Sequence, residues 1–266
     1  MPILMYHSIA DSAAPRFARF AVRPAHFAAQ MDHLAAAGYQ PITALDFARR
    51  RNAGDLLARS VVLTFDDGFS DFEAVVMPIL LAHRFPATLY VPTAYVGRTA
   101  SWLRDCGEDQ RPILSWRALR DVASTGIEVA SHSHTHPQLD RIPPPVVRDE
   151  VLRSRELLEG NLGCPVQGFA YPFGYWRRHV RSAVDAAAYS YACAVGESVV
   201  AAGDDILALP RLTVTGGLGL DGFTRLLAGS PTRIARSSID VKRWAWRAVR
   251  RHIGPVGGDP YAPEEL

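Results

Sequence analysis

The chain has 266 residues, 48% of them apolar, and a formal net charge of +2. This length and composition are typical of a globular protein with a sizeable core in one or two domains. A nearly neutral charge gives no basis for nucleic acid as a partner, because phosphate binding usually shows as a strong basic excess. No apolar run reaches the roughly 20 residues that cross a bilayer, and the N-terminus lacks the features of a signal peptide. We therefore expect a cytoplasmic protein.

Short apolar segments alternate along the chain with segments of helical periodicity. In chain order we predict a strand over Pro2–Tyr6, a helix over His26–Ala37, a strand–helix step over Tyr39–Arg51, a strand over Val61–Phe65, a helix over Phe72–His83, a strand over Ala87–Val91, a helix over Trp116–Ser124, a strand over Ile127–Ala130, a helix over Val146–Leu162, and strands over Phe169–Tyr171, Tyr189–Ala194 and Leu207–Leu209. This alternation predicts one α/β domain with a parallel sheet, open or closed into a barrel.

Polar residues gather where three of the predicted strands end. VVLTFDDGFSD places Asp66 and Asp67 after one strand, ASHSHTHPQL follows a second, and FAYPFGYW follows a third. Two carboxylates at the end of a buried strand are costly unless each has a partner or a task. Because parallel α/β folds carry their chemistry at the C-terminal ends of the strands, these three stretches predict the functional site.

Three histidines within five residues indicate a metal site. Each of His132, His134 and His136 alone could be an exposed loop residue, but an aspartate at another strand end changes that interpretation. Two imidazoles and one carboxylate are a familiar set for catalytic zinc and also suit iron or other divalent metals. One aspartate could then bind the metal while the other takes a proton from the attacking water. The alternative is that an aspartate caps the following helix.

In this order, TFDDG, HSHTH and FAYPFG resemble the motifs of the polysaccharide deacetylases that share the NodB homology domain (carbohydrate esterase family 4). The resemblance covers roughly Pro2 to Val214, with FPATLYV and LSWRALRDVASTGIEVASHSHTHPQL adding to it. It implies a distorted (β/α) barrel of about seven strands in a single domain. It also implies metal-dependent hydrolysis of N-acetyl or O-acetyl groups on sugars.

The resemblance also implies a role for each motif residue. The corresponding positions are Asp67, His132 and His136 as metal ligands, Asp66 as general base, and Phe173, whose backbone N–H would stabilise an oxyanion. The implied cofactor is one divalent ion, with zinc the first choice and cobalt, nickel or iron as alternatives. Ser133 occupies the position of a hydroxyl that braces the histidine loop, and His134 has no ligand role.

The chain departs from the family pattern at two places. Ala170 stands where the third motif usually carries an arginine, and no Leu-x-His motif follows Val214. For the arginine we nominate Arg211, after the predicted strand Leu207–Leu209, although such a residue is often a surface group. For the missing general acid we nominate His7, because relatives that resemble poly-N-acetylglucosamine deacetylases have a similar YH stretch and histidine titrates near neutral pH. The alternative is a structural histidine at a strand end.

Two further stretches have alternative interpretations. Trp102, in the long loop over Val96–Pro112, could contact a sugar or fill the loop's own core. The basic, Trp-containing segment Ile239–Gly254 predicts a helix packed on the barrel, with contact to an anionic membrane surface as the less favoured alternative. We therefore divide the chain into a barrel over residues 1–230 and a C-terminal basic helix and tail over residues 231–266.

The favoured function is removal of acetyl groups from an N-acetylated amino-sugar, as polymer, oligomer or glycolipid, with release of acetate. The carbohydrate substrate would carry acetamido groups. One alternative is a different hydrolase of non-peptide C–N bonds on the same barrel, such as a deformylase. Another is a carbohydrate-binding relative with little or no catalysis, which the missing arginine and late histidine favour and the complete metal set opposes.

Overall fold

The computed structural model describes residues 1–55 and 58–228. The predicted helix over Ile239–Gly254, the boundary at residue 230 and the membrane contact lie outside these described residues. Within the two ranges, no helix combines the length and apolar character that crossing a membrane requires.

Strands and helices alternate along the described chain. The strands are β1 (Ile3–Tyr6), β2 (Ser8–Ile9), β3 (Ala21–Val22), β4 (Gln40–Ile42), β5 (Ser60–Phe65), β6 (Thr88–Val91), β7 (Glu128–Ser131), β8 (Gly168–Ala170), β9 (Tyr191–Cys193) and β10 (Leu212–Thr213). The α-helices are α1 (Pro24–Ala36), α2 (Ala44–Ala53), α3 (Met77–His83), α4 (Trp116–Ser124), α5 (Pro144–Leu162), α6 (Arg178–Ala186) and α7 (Leu220–Ala228). A π-helical segment over Phe72–Val76 leads into α3.

The main sheet is parallel and curled. Among the described residues, seven strands follow one another in the order β10-β1-β5-β6-β7-β8-β9, and β4 pairs with the first half of β5. On its far side β9 contacts the segment that precedes β10, through one bridge from Cys193 to Leu209, and the N–H groups of Gly196 and Glu197 donate to the carbonyl of Arg211, so the sheet forms a half-barrel. The prediction of a distorted (β/α) barrel of about seven strands is confirmed.

The central strands are apolar on both faces, as expected when helices cover a parallel sheet. Every residue of β1 and β5 is buried. Inside the barrel, one face of the strands contributes Ile3, Val62, Tyr90, Ala130 and Tyr191, while the opposite face packs against the helices. Because the strands are parallel, all of their C-terminal ends reach the same rim, and the polar stretches that follow them meet there.

The predicted strand over Leu207–Leu209 is wrong. Ile206–Ala208 forms a 3-10 turn, started by the Asp205 side chain, which accepts a hydrogen bond from the Leu207 N–H at 3.0 Å. A short polar side chain that bonds the backbone in this way competes with strand pairing. Leu209 still makes one bridge, and the strand that completes the sheet is β10, two residues after Pro210.

Candidate active site

The two adjacent aspartates point into one pocket because the backbone turns between them. The Asp66 N–H donates to the carbonyl of Tyr6 at 2.9 Å, which extends the pairing of β5 with β1. Asp67 then adopts a left-handed conformation with φ of 76°. In a continuing strand, neighbouring side chains would point to opposite faces. The turn instead brings both carboxylates to the rim, where they line the same pocket.

Asp66 forms a buried bidentate ion pair with Arg211. Its Oδ1 and Oδ2 accept from Nη1 and Nη2 of Arg211 at 2.6 and 2.7 Å, and the arginine side chain is fully buried. Burial alone would raise the pKa of Asp66, but the charge and hydrogen bonds of Arg211, with the ring of His132, hold it at about 2. Asp66 is therefore ionised at neutral pH.

Arg211 is held by more than its carboxylate partner. It also donates to the carbonyl of Ala194 and to Oγ1 of Thr64, each at 3.2 Å, and lies over the ring of Tyr90. The interpretation of Arg211 as a surface group is wrong, because the side chain enters the barrel immediately before β10. It reaches Asp66 from the position before β10, whereas Ala170, at the position where the family pattern has an arginine, lies on β8.

We expect Arg211→Met to lower the free energy of unfolding by about 3–5 kcal/mol, because it leaves Asp66 buried without a countercharge. Arg181 offers a matched control, since its Nε and Nη2 bind Asp205 at 2.6 and 3.1 Å with both side chains about a third exposed. Arg181→Met should cost less than about 1 kcal/mol, as exposed ion pairs do. Urea denaturation measures both values. An equal free energy of unfolding for Arg211→Met and the unsubstituted protein would show that the buried ion pair does not stabilise the fold.

The histidine loop after β7 presents His132 and His136 to Asp67. Nδ1 of His132 lies 2.8 Å from the carbonyl of Ala170, so this nitrogen donates and Nε2 keeps its lone pair towards the carboxylates. Burial lowers the pKa of His132 to about 4, which keeps the ring neutral. The His136 N–H donates to Oγ of Ser133 at 3.1 Å, so the Ser133 hydroxyl closes the loop.

His134 points away from this group. Its Nδ1 lies 2.8 Å from Oγ1 of Thr93, and its side chain is half-buried outside the pocket. The backbone N–H groups of His134 and Thr135 donate to Oε2 of Glu150 at 2.8 and 2.7 Å. Glu150 lies on α5 and is 5% exposed, and it therefore holds the backbone of the histidine loop in place.

Asp67, His132 and His136 fit a metal ion. One ligand atom from each lies within 4.8 Å of the others, and all three residues are buried. Oδ1 of Asp67 lies 3.2 Å from Nε2 of His136 and 3.6 Å from Nε2 of His132, yet it has no hydrogen-bond partner among the described residues. A buried carboxylate oxygen facing two imidazoles without a hydrogen bond is what an ion-binding position requires.

The site concentrates backbone strain. Within residues 1–55 and 58–228, eight residues other than glycine have positive φ, and Asp67, Ser133, His136 and Phe173 are four of them. Such conformations cost about 1–3 kcal/mol each and persist where the surroundings enforce them, often at functional sites. Next to Phe173, the backbone of Gly174 packs so closely against Val195 that an added Cβ would lie 2.3 Å from the valine side chain.

The pocket above the aspartates has a volume of about 270 Å³. Two segments outside the strand ends form its walls, and we call residues 10–20 the N-terminal wall and residues 97–112 the distal loop. Trp102 of the distal loop lies 5.0 Å from the ring of His136 and 4.5 Å from that of Tyr95. It therefore lines the pocket and also packs with Ala100 and Leu103 of its own loop, and contact with a sugar stays a prediction.

His7 also lines this pocket. It lies between β1 and β2, its ring is 4.8 Å from that of Phe20, and its Nδ1 is buried without a hydrogen-bond partner among the described residues. Burial lowers the pKa of His7, and the nearby carboxylates of Asp67 and Asp66 oppose that shift. The structure thus brings together Asp66, Asp67, His132, His136, Phe173 and His7 around the pocket, with Arg211 directly beneath Asp66.

Sequence reasoning missed Glu150, although one signal for it exists. The buried face of α5 consists of Val147, Val151, Ser154 and Leu158, and Glu150 falls within this apolar stripe. A carboxylate on the apolar face of a helix needs a partner inside the protein, which here is the histidine loop.

The contacts of the two pocket walls carry no comparable signal, because they join residues about 100 positions apart.

Comparisons with known proteins agree with this geometry. A sequence model of the family described as polysaccharide deacetylase matches residues 53–192. The chitooligosaccharide deacetylase of Bradyrhizobium sp. (strain ANU 289) is 37% identical over 139 residues, which are 50% of this chain and 55% of that protein. The poly-β-1,6-N-acetyl-D-glucosamine N-deacetylase of Escherichia coli K12 is 33% identical over 136 residues, which are 49% of this chain and 20% of that protein. The chain thus spans about half of the first relative and a fifth of the second.

A solved structure resembles the whole described fold. The deacetylase PplD of Streptococcus pyogenes, in complex with acetate, superposes with a TM-score of 0.75 at 25% sequence identity. The match covers 87% of this chain and 98% of that one. The similarity therefore extends well beyond the segment that the family model matches.

Proposed function

The chain belongs to the polysaccharide deacetylase family, and from that premise we propose that it is a metal-dependent hydrolase that removes acetyl groups from an N-acetylated amino-sugar. The observation that carries the proposal is the position of ionised Asp66 beside the Asp67, His132 and His136 group, in a pocket open to a substrate. A site that only binds sugar has no need of a base next to a metal position. The two curated relatives described above are named as deacetylases of acetylated glucosamine polymers or oligomers, and the substrate class follows theirs.

Asp67, His132 and His136 would hold the ion. When bound there, a divalent ion supplies a Lewis acid that polarises the acetyl carbonyl and lowers the pKa of a water molecule. Zinc is the first choice for two imidazoles and one carboxylate, and cobalt, nickel or iron also suit this set.

Asp66 would act as the general base. It is ionised, and Nε2 of His132 lies 3.8 Å from its Oδ2, so it borders the ion position without belonging to the ligand group. Arg211 fixes the orientation of the carboxylate through both oxygens. Proton removal from water by a positioned carboxylate contributes typically about 10²–10⁴-fold to a rate.

The backbone N–H of Phe173 would stabilise the oxyanion that forms when water attacks the acetyl carbonyl. Its residue lies beside the ligand group, with the phenyl ring 4.9 Å from that of His136. A donor that is held rigidly in place reorganises little as charge develops, which is the condition for an effective oxyanion site. The left-handed conformation of Phe173 and the close packing of Gly174 against Val195 indicate that the surroundings hold this segment in place.

His7 would complete the reaction by protonating the departing amine nitrogen. An amide nitrogen leaves poorly until it gains a proton, and His7 is the pocket histidine that lies outside the ligand group. Burial lowers the pKa of His7, and the carboxylates of Asp67 and Asp66 favour the protonated ring that this role requires. Water loses one proton to Asp66 and the amine nitrogen gains one from His7, so the products are a free amino-sugar and acetic acid, which ionises to acetate. A proton passing from Asp66 to His7 restores both groups.

We expect His7→Ala to keep the metal and to lose most hydrolysis of an N-acetyl sugar. The loss should be much smaller for 4-nitrophenyl acetate, whose leaving group departs without a proton. His83→Ala, a half-buried histidine on α3 outside the pocket, is the matched control and should leave both rates unchanged. Equal losses on the amide and the activated ester would rule out His7 as the acid.

The proposal is tested by screening acetate release from a panel of N-acetylated amino-sugars, as monomers, oligomers and polymer. N-formyl and O-acetyl analogues in the same panel separate deacetylation of amides from the alternative C–N hydrolase and from esterase activity. Acetate release with an equal amount of free amine supports the proposal. Binding of acetylated sugars without any turnover would instead support the carbohydrate-binding alternative.

A further inference from the structure

Arg111 connects the distal loop both to the barrel and to the N-terminal wall. Other bonds also join these segments, such as those from Nη1 of Arg16 to the carbonyl of Asp105 and from the Ser70 N–H to the carbonyl of Pro112, each at 2.9 Å. Arg111 lies at the end of the distal loop, and its Nη1 donates to Oγ of Ser8 at 2.8 Å. The Ser8 hydroxyl donates in turn to Oδ2 of Asp71 at 2.5 Å, and Arg111 lies 3.5 Å from the same oxygen. Through these contacts the distal loop is tied to β2 and to the segment that follows the two catalytic aspartates.

A second set of contacts ties the distal loop to the N-terminal wall. Nε of Arg111 donates to Oε2 of Glu108 at 3.1 Å, and Nη2 lies 3.0 Å from the same oxygen. Oε1 of Glu108 accepts from the backbone N–H of Ala14 at 2.5 Å. The guanidinium also lies over the rings of Phe17 and Phe69, 5.1 and 5.6 Å from their centroids, where the ring faces attract a cation.

Arg111 supplies the positive charge that Asp71 and Glu108 share. The side chains of Arg111, Asp71 and Glu108 are 11%, 14% and 13% exposed, so two nearly buried carboxylates share one cation. Burial raises the pKa of Asp71 to about 6, against the lowering effect of Ser8 and Arg111. Removal of the guanidinium would leave two poorly solvated carboxylates without a countercharge. This strongly disfavours the packing of the distal loop against the N-terminal wall and the barrel.

We propose that Arg111 is a positioning residue that sets substrate recognition by holding the N-terminal wall and the distal loop together over the pocket. This inference rests on the proposed function. Arg111 does not line the pocket, whereas Phe17, Phe20 and Trp102 of the two walls do. Its loss therefore alters the surfaces that contact the sugar and leaves Asp66 and the ligand group in place.

The effect should fall on binding. We expect Arg111→Gln to raise KM for an N-acetylglucosamine oligomer about tenfold, which corresponds to roughly 1.4 kcal/mol of binding, with little change in kcat. Hydrolysis of 4-nitrophenyl acetate should be unchanged, because this small ester needs few contacts with the walls. Arg111→Lys should recover part of the affinity, since an ammonium can still bind Ser8 and Asp71.

A second measurement does not depend on turnover. Arg104 lies exposed in the distal loop, and tryptic cleavage after it should be faster in Arg111→Gln than in the unsubstituted protein. The matched control is Arg98→Gln, an exposed arginine of the same loop, which should change neither KM nor the cleavage rate. If Arg111→Gln fails to fold, Ser8→Ala takes its place. It keeps the charges of Arg111, Asp71 and Glu108 and should show the same shifts to a smaller degree.

The outcomes separate this inference from the proposed function. If the unsubstituted protein releases no acetate, the proposed function fails, and the cleavage rates still decide whether Arg111 joins the walls. If it is active and both KM and cleavage are the same in Arg111→Gln and Arg98→Gln, the inference is overturned. An equal fall in kcat for the oligomer and the ester would also overturn it, because it would place Arg111 in the chemistry.

Discussion

Asp66→Asn should bind metal as the unsubstituted protein does and should turn over N-acetyl sugars about 10²–10⁴-fold more slowly. The side-chain amide of the introduced asparagine cannot take a proton from water. The substitution leaves the ligand residues Asp67, His132 and His136 unchanged. The substitution also removes the charge that balances Arg211, so we expect some loss of stability. Rates should therefore be measured well below the unfolding transition, with metal content determined on the same sample.

Asp67→Asn is the paired variant, one position along the chain and equally buried. It should weaken metal binding, because the carboxylate charge offsets part of the charge of the ion. Added metal should restore part of its activity and none of the activity of Asp66→Asn. The same loss of metal from both variants would contradict the separate roles of the two aspartates.

His132→Ala and His136→Ala should each lose both metal and activity. Three protein ligands leave one position open for water in catalytic zinc sites, and removal of any one leaves only two. His134→Ala, in the same loop, should keep both, because the His134 ring bonds Thr93 outside the ligand group. Metal content by mass spectrometry of the native protein, together with acetate release, separates the three variants.

Loss of metal from His134→Ala alone would show that the ligand group is assigned wrongly. The loop itself should survive each substitution, because its backbone is held by Glu150 and Ser133. Thermal unfolding of the metal-free proteins checks this point. Similar midpoints would show that the losses come from the missing ligand atoms.

The sequence was sufficient to predict which strand ends meet at the rim. Parallel strands share one rim, so Asp66 and the two histidines could be brought together from their positions after predicted strands. The strand before Asp66 is a six-residue run buried on both faces, while the strand before the histidines has four residues and follows a predicted helix. The matching family motifs then identified which members of each group face the pocket.

The remaining features depend on one local side-chain bond and on contacts between distant residues. Leu207–Leu209 has the composition of a strand, and its conversion to a turn depends on the local bond from Asp205. Arg211 reaches Asp66 over 145 positions of sequence, and Arg111 reaches Ser8 over 103. Arg211 could be nominated because the family pattern calls for an arginine, whereas nothing in the sequence pointed to the contacts of Arg111, since no periodicity or local motif links residues at such separations.

The central claim is that an ion held by Asp67, His132 and His136 is required for hydrolysis of an acetamido group. The direct measurement is acetate release from an N-acetylglucosamine oligomer while zinc is titrated into chelator-treated protein. We predict no release before addition and a plateau at one equivalent, with no response in His136→Ala. Full activity in the chelator-treated protein, or an unchanged titration in His136→Ala, would contradict it.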